Sequence, residues 1–75
     1  MPPTEVWGYT VGDHVEALCS DGRWRHAVVN AITIERDINV KFPYDKTYKR
    51  IVNPKNIRRF VVPTGVDNVE RWLQT

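Results

Sequence analysis

Cysteine is nearly absent from this chain of 75 residues, Cys19 being its one thiol. A single cysteine excludes an internal disulfide framework and fits a reducing compartment, cytosol or nucleus. Long apolar runs are missing too. No stretch approaches the about 20 residues that cross a bilayer, so no membrane partner is expected. The opening Met1-Pro2-Pro3-Thr4-Glu5 lacks the charged start and apolar core of a signal peptide. There is no excess of charge of one sign: the net charge of +2 permits contact with nucleic acid or chromatin without demanding it. Repeats and low-complexity tracts are absent, and 41% hydrophobic with 27% charged residues is an ordinary globular balance rather than a disordered one. So short a chain holds one small core and leaves no room for a cleft between lobes. His14, His26 and Cys19 match no zinc spacing, and no catalytic signature surrounds Cys19. No catalytic residue, metal or cofactor is therefore expected.

What is present is a succession of short alternating segments. Residues 1–10, with two prolines and a glycine, read as an arm that docks through Trp7 or Tyr9. Val15, Ala17 and Cys19 alternate with His14, Glu16 and Leu18, predicting a first strand over 11–19. Ser20-Asp21-Gly22 is a turn, since Asp caps its own backbone and Gly accepts positive φ. A long second strand over 23–34 puts Ala27, Val29 and Ala31 on one face, then switches phase to Ile32 and Ile34. A one-residue switch inside a strand is the trace of a β-bulge. Glu35-Arg36-Asp37 turns into a third strand, Ile38, Val40 and Phe42 alternating with Asn39 and Lys41. Pro43 to Lys46 is a loop, 47–52 a fourth strand, Asn53 to Asn56 one tight helical turn, and 57–62 a fifth strand. Asp67 and Glu70 then frame a capping box, and Val69, Trp72 and Leu73 form one stripe of a short C-terminal helix. Such a stripe docks on the barrel or on a partner.

These signals predict an all-β fold, a small five-stranded SH3-like barrel over 11–62, with the arm at 1–10 and a linker and helix at 63–75.

Val11-Gly12-Asp13-His14-Val15-Glu16-Ala17, followed by Asp21-Gly22-Arg23-Trp24-Arg25-His26-Ala27-Val28-Val29, resembles the opening of Tudor and Agenet domains. The likeness runs on through Ile38-Asn39-Val40-Lys41-Phe42 and ends at Asn56-Ile57-Arg58-Arg59-Phe60, covering about residues 11–60. It implies a nuclear, non-enzymatic chromatin reader that binds a methylated histone tail, lysine before arginine, in an aromatic cage. Carried over by position, the resemblance puts the cage at Trp24, Phe42, Tyr44 and Tyr48, with Asp45 as acidic neighbour and Asp21 nearby. A methylated ammonium keeps its charge, and ring faces attract it. Cys19 stands where many such domains have a ring, leaving Trp7, Tyr9 or Tyr44 to substitute.

Plainer readings stand beside each of these. Trp24 is out of phase with Ala27 and Val29, which suits a mouth residue or a ring over a barrel end. Phe42 shares its face with Ile38 and Val40 and equally suits the core, while Tyr48 equally suits a cross-strand pair. Arg23, Arg25, Lys46, Lys49, Arg50, Arg58 and Arg59 offer an alternative function, a basic face binding DNA or RNA. A protein-interaction scaffold with a vestigial cage, or contact with other chromatin proteins, is the remaining alternative.

Overall fold

The computed structural model describes residues 3–60. Five antiparallel strands form one sheet: β1 (His14–Leu18), β2 (Trp24–Ile32), β3 (Ile38–Phe42), β4 (Thr47–Ile51) and β5 (Ile57–Arg59), in the order β4-β3-β2-β1-β5. A 3-10 turn, Pro54–Asn56, leads into β5. β4 and β5 are the two edges, with no ladder between them among the described residues. The predicted C-terminal helix and the last residues of the predicted fifth strand lie outside the described residues.

Period-two alternation decides which side of this sheet is dry. Val15, Ala17, Ala27, Val29, Ile38, Val40, Phe42, Ile51 and Ile57 are all buried. The register stacks them in cross-strand pairs, Val15 on Ala27, Val29 on Val40 and Ile38 on Ile51. The intervening residues form the outer face, which is only half-buried.

The bulge falls at Asn30. Pairing steps from Val29↔Val40 to Ala31↔Asn39, so β2 advances two residues while β3 advances one. Asn30 is exposed, and beyond it Ile32, opposite Ile38, joins the core side. The phase switch in the sequence has this physical cause. β2 ends sooner than its apolar pattern suggested, because Thr33 and Asp37 close a tight turn: the Thr33 amide donates to Asp37 O at 2.9 Å, and the Asp37 amide to Thr33 Oγ1 at 3.0 Å. Arg36 takes φ 68° inside that turn, and Ile34 is left 75% exposed.

β1 likewise begins later than predicted. Gly12 at φ +96° and the Asp13 carboxylate, which accepts the Thr10 amide at 3.0 Å, shape a turn that leaves Val11 exposed. The Ser20–Gly22 turn forms as expected, with Gly22 at φ +82° and Asp21 Oδ1 accepting the Arg23 amide. Asn53 caps the 3-10 turn by accepting the Lys55 amide at 2.9 Å.

The arm belongs to the core. Val6 and Tyr9 exchange backbone hydrogen bonds of 3.1 and 2.9 Å around a turn at Trp7 and Gly8, and both side chains are buried. Docking therefore runs through Tyr9 and Val6, while Trp7 stays 38% exposed.

Candidate functional site

One corner of the sheet collects ring and charge. Phe42, the last residue of β3, is buried, and the Pro43–Lys46 turn that follows throws Tyr44 outward, 59% exposed. The turn is closed by the Lys46 amide donating to Phe42 O at 2.8 Å, with Lys46 at φ 58°. Ring centroids of Phe42 and Tyr44 lie 5.8 Å apart, their planes inclined by 55°, an arrangement aromatic pairs favour. Asp45 is fixed beside them by two bonds from Thr47, the amide at 3.1 Å and the hydroxyl at 2.6 Å. These bonds hold its carboxyl below the ordinary carboxylate value.

A second group comes from the β1–β2 turn. Arg25 pairs across the ladder with Ala17 and so shares the inner face of β2 with Ala27 and Val29. Its guanidinium donates to Asp21 Oδ2 at 2.6 Å. The Asp21 carboxyl is held below its ordinary value, first by the Arg23 amide and then by Arg25. The same guanidinium acts electrostatically on Tyr44, Cys19 and Asp45. The corner therefore contains two rings, two carboxylates and a cation of the protein's own. Cys19, beside it, is half-buried with its thiol 3.8 Å from Ala17 O.

Of the five residues expected to make a cage, the structure brings together Phe42, Tyr44 and Asp45. Strand parity sends the other two elsewhere. Trp24 is opposite Leu18 on the outer face, with the Arg58 guanidinium 4.1 Å from its ring centroid. Tyr48 is opposite Lys41, also outward, with the lysine Nζ 5.8 Å from its ring centroid. Arg25 is the residue that the motif reading passed over at this corner. Its signal was its phase, two residues before Ala27 and four before Val29.

The seven cations expected on a basic face divide in two. Arg25 bonds Asp21, Arg50 bonds Asp37, Arg58 bonds Glu16 at 2.9 Å, and Arg59 lies 3.6 Å from Asp13. Arg59 is further occupied by Gly8 O at 2.6 Å and by the Tyr9 ring, 4.8 Å to the centroid. Arg23, Lys46 and Lys49 have no ion pair among the described residues.

Two histidines meet on the outer face. His14 Nδ1 and His26 Nε2 are 2.8 Å apart, with ring planes within 11° of parallel and centroids 5.1 Å apart. The nitrogen gap plus one ring radius on each side spans that separation. The rings therefore meet edge to edge in one plane, one nitrogen donating and the other accepting. Phe60 tilts against His26 at 4.5 Å. Burial pushes the His26 pKa down, His14 adds to this, and Glu16 opposes it. Among the described residues, no group of three or more His, Cys, Asp or Glu side chains could hold a metal ion. No family model, curated protein or solved structure matches the chain.

Proposed function

We propose that the chain is a non-catalytic nuclear module of the Tudor/Agenet kind, binding a methylated lysine of a histone tail at the Phe42–Tyr44 corner. The observation that carries this reading is the ring pair itself, 5.8 Å apart and opened to 55°, with Asp45 and Asp21 beside it. Tyr44, 59% exposed, supplies the π face to a methylated ammonium, Phe42 backs that ring from the core, and the fixed carboxylates favour the charge. Trp24 and Tyr48 already have cations over their rings, so they contribute no wall to this corner. The proposal also takes the sheet to be an SH3-like barrel. In support, among the described residues one five-stranded sheet and the short arm at Val6 and Tyr9 bury Val15, Ala17, Ala27, Ile38 and Val40 completely, which a sheet that curls over its own side chains accomplishes.

Two rings and a resident Arg25 make for weak binding, with a Kd on the order of 1 mM for an isolated peptide. The test is a titration of the chain with histone peptides bearing unmodified or trimethylated lysine. Binding is expected only for methylated peptides, to persist as salt rises, and to vanish in Tyr44→Ala. An array of such peptides on which no methyl-dependent binding occurs would sink the reading.

A further inference from the structure

The outer face of the sheet has a composition that the corner does not use. The β3–β4, β2–β3 and β1–β2 registers set Tyr48, Lys41, Val28 and His14 in one row across four strands. Beside His14 lies His26, the two imidazoles forming one flat plate edged by Phe60. Trp24 and Arg58 sit further along, the guanidinium over the indole. The face thus carries the Tyr48–Lys41 pair at one edge and the two histidines beside the Trp24–Arg58 pair toward the other, with Val28 between. The carboxylates near them are neutralised, Glu16 by Arg58 and Asp37 by Arg50, so the face presents no free anion of its own among the described residues.

The rings of this face lie on the side of the sheet away from the core cluster, where a stacking ligand can reach them. Tyr48 is 55% exposed, and Trp24 and both histidines keep part of their surface in water or at its edge. A planar, anionic polymer satisfies both halves of this chemistry. Bases stack on Tyr48, on the imidazole plate and on the Arg58 guanidinium plane that covers Trp24, and the phosphates between them meet Lys41 and the remaining N–H groups of Arg58. An acidic peptide would use the cations and leave the rings idle. A duplex would hide its base faces.

We propose that this outer face binds single-stranded nucleic acid, with stacking as the larger contribution and few phosphates engaged. This stands independently of the corner, which lies on the opposite face and uses Tyr44.

The experiment is fluorescence anisotropy of labelled single strands of about 12 nucleotides, a length within the usual site sizes, titrated with the chain at low salt. Saturable binding is expected, with a shallow salt slope of about −1.4 for two phosphates. Tyr48→Ala and Lys41→Ala, both at the surface, should each weaken binding about tenfold with the circular dichroism spectrum unchanged. Tyr44→Ala should leave it intact. Four results overturn the proposal: no binding at low salt, wild-type affinity in Tyr48→Ala, equal binding of a duplex, or equal displacement by polyglutamate. The first two leave the methyl-lysine titration unaffected, so the two sites fail separately.

Discussion

At the scale of single residues, the corner is governed by a competition for its carboxylates. Arg25 holds Asp21 and extends its field to Tyr44 and Asp45. Any methylated ammonium entering beside Tyr44 meets that like charge at short range. Arg25→Gln removes the charge while keeping a stem and a donor for Asp21. Affinity for a trimethyl-lysine peptide is expected to rise, because the variant removes a like charge that the entering ammonium would meet. Titration of the variant against the same peptides checks this. Weaker binding would mean that Arg25 supports the rings rather than competing for their place.

The histidine pair makes a second prediction at this scale. In the folded chain His26 titrates below its ordinary value of 6.5, because it is partly buried beneath Phe60 and faces His14, with only Glu16 opposing and that carboxylate already bonded to Arg58. The unfolded chain therefore takes up the proton first. Stability is independent of this group well above pH 6.5 and falls as the pH drops through it. Asp13, Asp21 and Asp45, whose pKa values are lowered from 3.8, stabilise the fold above that value and withdraw their support only in stronger acid. Urea melts at pH 7.5 and 5.5 should thus differ in wild type and converge in His26→Gln. An equal loss in the variant would assign the effect elsewhere.

At the scale of elements, the turns decide where each strand stops, and they are less legible in sequence than the strands. The alternation of Ile38, Val40 and Phe42 predicted β3 with its observed bounds. The phase change near Ala31 predicted the bulge to within a residue. Ile34 and Val11 were assigned to strands on apolar character alone and lie exposed outside them. The Thr33 hydroxyl and the Asp13 carboxylate, accepting the Asp37 and Thr10 amides, outweigh one side chain's hydrophobicity at a strand end. The cage residues were carried over from the family resemblance by position, and the ladder divides them between the two faces. Trp24, out of phase with Ala27 and Val29 in the sequence, is opposite Leu18 on the outer face as that phase requires, and Tyr48 is opposite Lys41 on the same face. Arg25 carried the correct inward phase and no aromatic ring to draw notice. The turn at Gly22 offers a direct test of turn control. Nothing lies within 4 Å of a Cβ placed there, so Gly22→Ala meets only the strain of φ +82°. A loss of about 1–2 kcal/mol is expected in denaturant melts, with methyl-peptide binding weakened through the displaced Asp21.

At the scale of the whole molecule, the arm sets the size of the cooperative unit. The first predicted strand begins at Val11, so the sequence pattern alone expects a chain starting there to fold. The core argues otherwise. Val6 and Tyr9 are 5% and 9% exposed, and the backbone bonds between them shape the turn that gives Gly8 O to Arg59. Burying side chains of this size contributes about 1.5–3 kcal/mol each, and removing the arm also uncovers the residues beneath. A domain of this length has about 4–11 kcal/mol in total. Deleting residues 1–10 should therefore remove half or more of the stability and lower Tm by tens of degrees, at about 4–8 °C per kcal/mol. Tyr9→Ala alone should cost about 3 kcal/mol, whereas Trp7→Ala, at an exposed position, should cost far less. Thermal melts of the three variants distinguish a docked arm from a dispensable one. If the shortened chain melts like the full one, the sheet closes its core without Val6 and Tyr9, and the curled barrel gains its strongest support.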